Sequence, residues 1–212
     1  LIGALAAGCT ALSFGSDSSS RADVSFSDAG EPEGPCAIFD ASGRPEARGE
    51  FANGHRQGTW TFWDSAGTTL VELSYRDGIK NGPCRMWYGA YAFPDSAGSP
   101  KLSVDFADDR ESGRRRSWWP NGALKCESDL ANGVARTAHC WTETGRELSA
   151  TESMQTTASD LEADATYLRI LDEVVAESVA RAAAAPTYLV AGGTDLLTVP
   201  RPPSRTLLIR NS

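Results

Sequence analysis

Four cysteines, Cys36, Cys84, Cys126 and Cys140, carry the most reactive side chains in the body of this chain, and their even number permits two disulfides. Cys126 and Cys140 lie seven residues either side of Gly133. A hairpin turning at that glycine sets them opposite, or nearly opposite, each other on adjacent strands, so a Cys126–Cys140 bridge is expected. Cys36 and Cys84 share a local context, Gly34-Pro35-Cys36 and Gly82-Pro83-Cys84, and stand 48 residues apart. Four intervening strand steps of ~4.8 Å separate them by about 19 Å, beyond the ~7 Å that a disulfide spans between Cα atoms. Bridging them would require the first unit to fold away from the rest. Zinc needs ligand pairs a few residues apart, and neither His55 nor His139 makes one with a cysteine. No metal or cofactor is expected. The chain carries no nucleophile elbow and no phosphate loop, and Ala191-Gly192-Gly193-Thr194 is too short and too late to be a dinucleotide turn. It is read as not an enzyme.

What remains is chemistry of binding. The segment Gly89-Ala90-Tyr91-Ala92-Phe93-Pro94 places Tyr91 and Phe93 in a loop, where exposed rings make good anchors for proteins or sugars unless they fold back on the core. Trp118 and Trp119 are adjacent, so on a strand they face opposite sides and one must leave the apolar column; Trp119 is the candidate. Arg114, Arg115 and Arg116 stand beside it and either join a binding surface or balance Asp105, Asp108, Asp109 and Glu111. The net charge of −8 excludes a broad nucleic-acid footprint.

These residues are positioned by a repeat. Within Gly49 to Gly82, Asn53-Gly54 with Gly58 returns as Asp77-Gly78 with Gly82, a shift of 24 residues. Sliding that unit gives about five copies, with an aromatic column of Phe39, Trp63, Trp87, Trp118 and Trp141 and turn glycines Gly43, Gly67, Gly98, Gly122 and Gly145. The third copy is enlarged by about seven residues, Gly89 to Asp95. The second strand of each unit alternates: Ala47/Gly49/Phe51, Val71/Leu73/Tyr75, Leu102/Val104/Phe106, Cys126/Ser128/Leu130. Period-two alternation predicts half-buried antiparallel strands. Short Asn-Gly and Asp-Gly links predict tight turns and hence a mainly β, elongated meander, with the aliphatic and aromatic columns on one face. Asp108-Asp109 breaks the link pattern, which predicts a different or strained turn there.

The segments GEFANGHRQGTWTFW and SYRDGIKNGPCRMWY, and more weakly DFADDRESGRRRSWWPNG and DLANGV, resemble bacterial MORN-type repeats, in the variant often labelled YwqK-family antitoxin. The resemblance covers residues 34–148 and implies stacked hairpins serving protein–protein or membrane-surface scaffolding.

Ahead of the repeats, LIGALAAGC is similar to the end of a bacterial lipoprotein signal peptide, with Cys9 as the acylated residue. Residues 1–9 are read as that remnant and 10–33, rich in Ser, Asp and Gly, as a flexible tether. The expected location is the cell envelope, exported and lipid-anchored at the outer membrane or periplasmic face. Behind the repeats, residues 149–186 are expected to be a linker and an amphipathic helix. Leu161, Ala165, Leu168, Leu171, Val175, Val179 and Ala182 mark its stripe, Ser159 or Asp160 its N-cap, and Pro186 its end. The helix is expected to cover the open apolar face of the sheet. Residues 187–212 are read as an irregular tail, with Tyr188-Leu189-Val190 and Thr206-Leu207-Leu208-Ile209 as short strand candidates. The function expected is a non-catalytic envelope scaffold with an unidentified protein partner. The alternatives are a carbohydrate or peptidoglycan-binding module using exposed aromatics, and an antitoxin-like inhibitor.

Overall fold

Alternation and turn chemistry together dictate a sheet in which every strand pairs with its sequence neighbour. The computed structural model describes residues 20–185 and the short strands Thr187–Val190 and Leu196–Val199. Its ten-stranded antiparallel sheet runs in strict chain order. The strands are β1 (Arg21–Phe26), β2 (Pro32–Phe39), β3 (Pro45–Ala52), β4 (His55–Trp63), β5 (Thr69–Arg76), β6 (Ile79–Trp87), β7 (Pro100–Ala107), β8 (Arg110–Trp118), β9 (Leu124–Ala131) and β10 (Val134–Cys140). The meander expected from the repeat is the fold observed.

Links between units lie along one long rim. Asn53-Gly54, Asp77-Gly78, Asp108-Asp109 and Asn132-Gly133 all have both residues at positive φ. The third link is therefore not a different turn. Asp109, at φ 63°, adopts the left-handed conformation that glycine supplies elsewhere, and its carboxylate accepts the Lys80 backbone N–H at 2.9 Å. A second set of bonds stitches unit to unit. Gly54 N–H donates to Pro32 C=O, Gly78 to Arg56, Asp109 to Lys80 and Gly133 to Glu111, at 2.8–3.2 Å.

On one face the alternating column is buried as expected, from Ala47 and Phe51 through Val71, Leu73 and Tyr75 to Leu102, Val104 and Phe106. This face is covered by one helix, α1 (Ala150–Ala184). The helix starts earlier than Ser159. Ser149 is the N-cap, its hydroxyl accepting the Glu152 N–H while the Glu152 carboxylate accepts the Ser149 N–H, so the expected linker is helix instead. Leu168, Leu171, Val175 and Val179 are buried beneath it, whereas Ala165 faces outward. One helical turn rises ~5.4 Å and adjacent strands lie ~4.8 Å apart, so a helix laid across the strands advances about one strand per turn. Contacts follow that rule. Thr157 meets Cys140 of β10, and Asp160 pairs with Lys125 of β9. Asp164 pairs with Arg115 of β8, and Asp172 with Lys80, Tyr75 and Arg56 of β6, β5 and β4.

Cys126 and Cys140 are partners in register and form the expected disulfide. Cys36 and Cys84 are free and buried on β2 and β6, consistent with a first unit that stays in the stack. Burial pushes the Cys36 thiol up to about 11, which removes its nucleophilicity.

Two boundaries are corrected. The tether does not extend to residue 33, because Arg21–Phe26 pairs with β2 and Ala22, Val24 and Phe26 pack on the core. An edge strand needs only one apolar face, and three alternating residues provide it. The tail is not wholly irregular: Thr187–Val190 and Leu196–Val199 pair antiparallel. Cys9, the signal remnant and Thr206–Ile209 lie outside the described residues.

Candidate functional site

The aromatic column does not join the apolar face. Between Phe62 and Trp63, Met86 and Trp87, and Ser117 and Trp118 the pairing register shifts by a bulge, and the aromatic residue ending each strand is half-buried at the rim opposite the unit links. The extra residue of each bulge is on the following strand, Leu70, Lys101 or Lys125, and each tryptophan, directly after buried Phe62, Met86 or Ser117, leaves the core face by plain alternation. Trp63, Trp87 and Trp118 thereby form one wall of a long cleft of about 970 Å³, with Ala163, Tyr167 and Ile170 of α1 opposite.

Rigid turns hold that rim. Asp40 accepts the N–H groups of Ser42 and Arg44, and Asp64 accepts those of Ala66 and Thr68, at 2.8–2.9 Å. The enlarged loop of the third unit is pinned at its start. Asp64 Oδ2 accepts the Ala90 N–H at 2.7 Å, and the Tyr88 hydroxyl donates to Trp118 C=O at 2.6 Å. Within the loop the two expected anchors part company. Phe93 folds back edge-on to Tyr88, ring centres 4.8 Å apart, while Tyr91 is 75% exposed at the cleft mouth. Trp119 is half-buried and also lines the cleft; its Nε1 donates to Trp141 C=O at 3.0 Å and Lys125 Nζ sits 4.9 Å above its ring.

The three arginines divide as the pleat requires. Arg114 and Arg116 point to the outer face and both pair with Glu127, at 2.7 and 2.8 Å. Their role is thus neighbour pairing across β8 and β9, although the partner is Glu127 rather than the acids of the preceding turn. Arg115 is instead 1% exposed, in the core column and in the cleft floor. Its Nε donates to Glu111 at 3.1 Å and its Nη2 to Asp164, which also meets Lys101 at 3.5 Å. Its Nη1 has no partner, nor has the hydroxyl of Ser117 two residues along the same face. Sequence reasoning missed Arg115 as a floor residue. The signal was available: allowing for the seven extra residues of the third unit, Arg115 falls in the column of Cys36, Trp60 and Cys84. Asp160, Asp164 and Tyr167 carried no comparable signal, because the strand each helical turn crosses depends on the docked fold.

Burial raises the Glu111 carboxyl from 4.5 to about 7, against the opposing pull of Arg115. The fold thus holds Glu111 better protonated than ionised. Its contribution to stability is complete below pH 4.5 and is lost as pH rises to 7, roughly 3 kcal/mol over that window. Glu111→Gln keeps an acceptor for Arg115 and removes the titration. Relative to the parent, the variant should gain stability steadily between pH 4.5 and 7.5 in urea unfolding; parallel pH profiles would refute the assignment.

His55 and His139 are exposed, and among the described residues no group of three His, Cys, Asp or Glu is placed to hold a metal ion.

No known family profile matches this chain, and no curated protein matches it. Among solved structures it is similar to the crystal structure of a GtfA/B complex bound to UDP and GlcNAc, at 9% identity and a TM-score of 0.22, over 66% of this chain and 27% of that one. The chain spans about a quarter of that structure's length, and a likeness of this size carries no argument about function.

Proposed function

We propose that the protein is a non-catalytic binding module of the cell envelope that takes a linear glycan along the aromatic cleft. The observation that carries this reading is the row of rings. Trp63, Trp87 and Trp118 end β4, β6 and β8, so successive rings are two strand spacings, about 10 Å, apart along the cleft. That step is close to the length of one disaccharide in an extended β-linked chain. Sugars present flat C–H faces to rings and hydroxyl edges to polar groups, and here rings alternate with Asp64, Lys101 and Lys125. An acyl chain would offer no hydrogen bond to the polar groups of Asp64, Lys101 and Lys125 that line the cleft. A peptide adding to the sheet would need an open strand edge, and the cleft lies over the sheet rather than beside it. Asp160 and Asp164, the carboxylates that α1 brings to the cleft, are committed to Lys125 and Arg115, which favours binding over catalysis there.

The test is a tryptophan-fluorescence titration with cellotetraose and chitotetraose. Saturable change with at least one is expected. Tyr91→Ala should weaken binding about fivefold with unchanged thermal stability, since a ring contact of this kind contributes about 1 kcal/mol and Tyr91 supports no core. Silence with both glycans refutes the reading.

The envelope location is supported by the Cys126–Cys140 disulfide, which persists in oxidising compartments. Intact mass of the protein from an envelope fraction should carry a diacylglyceryl group on Cys9. An unlipidated chain with every thiol free would move it to the cytoplasm and favour the antitoxin-like alternative.

A further inference from the structure

We propose that Arg115 and Ser117 form a recognition site for the N-acetyl group of an amino sugar, so that the ligand of the cleft is an N-acetylhexosamine glycan. The inference rests on the glycan reading and narrows it. Both groups lie on the inward face of β8 and line the cleft floor, Arg115 1% and Ser117 5% exposed. Each has a polar atom with no partner, Nη1 and Oγ. Buried polar atoms without partners are few in native proteins, and two on one strand facing one cleft need a common explanation.

The chemistry of the two atoms selects the ligand group. Arg115 Nη1 can only donate, and Ser117 Oγ can accept. A secondary amide offers one carbonyl acceptor and one N–H donor, and so satisfies both at once. Trp118, next to Ser117, lines the same cleft and offers apolar surface to its methyl. A carboxylate fits less well. Arg115 already holds Glu111 and Asp164, and six carboxylates line the cleft against four cations. A further anion would be repelled, whereas a neutral amide would not. A plain hydroxyl at the same sugar carbon has a single oxygen with which to meet both atoms, whereas the amide places its acceptor and its donor on separate atoms.

Chitotetraose and cellotetraose test this, because they share linkage and length and differ in acetamido against hydroxyl at each ring. The intact protein should bind chitotetraose about tenfold or more tighter, the size expected of a hydrogen bond to a charged donor in a desolvated site. Ser117→Ala should cut that preference about fivefold. It removes a hydroxyl that is unpaired in the free protein, so its thermal stability should not fall. A folded Ser117→Ala protein with the preference intact overturns the proposal. Equal binding of the two glycans by the parent also overturns it, while leaving the broader glycan reading standing. Binding of neither removes both.

Discussion

Asp164→Ala is expected to destabilise the protein by about 3–5 kcal/mol, because it leaves a fully buried guanidinium without its principal anion. Arg115 and Asp164 have side chains 1% and 8% exposed, so no solvent replaces the lost carboxylate. Lys101 loses its partner with it. The cost should depend on pH. Glu111, raised to about 7 by burial, is the remaining acid on Arg115. Near pH 8 it is ionised and holds the guanidinium, and near pH 5 it is more nearly neutral and the loss is larger. Arg169–Glu173 on the outer face of α1 supplies the contrast. Its 2.6 Å separation is shorter than many, yet both side chains are more than half exposed, and Glu173→Ala should change stability by less than about 0.5 kcal/mol. Urea unfolding of both variants at the two pH values would decide. Similar small costs for the two aspartate and glutamate changes would mean that Arg115 finds water, and the cluster would lose its structural role.

Gly49→Ala is expected to cost about 3 kcal/mol or more, from one added methyl group. A Cβ at this position would lie 2.1 Å from two ring carbons of Trp60 and 2.4 Å from its Nε1. The ring cannot yield. It is 0% exposed, donates to Glu50 C=O at 3.3 Å and packs edge-on to Phe51 at 5.2 Å. Trp60→Leu alone should also destabilise by leaving a cavity, but in the double variant the two changes should offset each other in part, with a coupling of about 1–3 kcal/mol. Strict additivity in that cycle would mean the clash is relieved elsewhere. The pair belongs to a wider pattern of volume compensation between neighbouring strands: Gly49 lies under Trp60, and Leu73 is paired with Cys84.

Much of the architecture was legible because its causes are local. The 24-residue spacing of Asn53-Gly54 and Asp77-Gly78 set the hairpins, and the run from Val71 to Tyr75 set the buried face. Cys126 and Cys140 were placeable from Gly133 alone, since a hairpin relates residues equidistant from its turn. What failed to be legible had one of two origins. Arg21–Phe26 and the first turns of α1 are poor in strong formers. Thr151, Ser153, Thr156 and Thr157 depress helix propensity, and only the Ser149/Glu152 box marks the true start. The cleft depended on where the helix docks, which period-two alternation does not encode, although the exit of the tryptophans from the core face follows from their place directly after Phe62, Met86 and Ser117. Arg115 lay in plain sight in a run of three arginines, and reading the run as a unit hid that only its middle member faces inward.

The agreement between helix pitch and strand spacing sets an exchange rate between the two halves of the molecule. One further hairpin would widen the sheet by two strands, about 10 Å, which α1 would match with about seven more residues. Lineages that gained or lost a hairpin without the corresponding heptad would leave two strands uncovered or two helical turns overhanging. Duplication of the 24-residue unit is therefore not a neutral step for this chain, as it is for solenoids that carry their own cover within each repeat. The length of the cleft is indexed to the length of a single helix, and it can change only in coordinated increments.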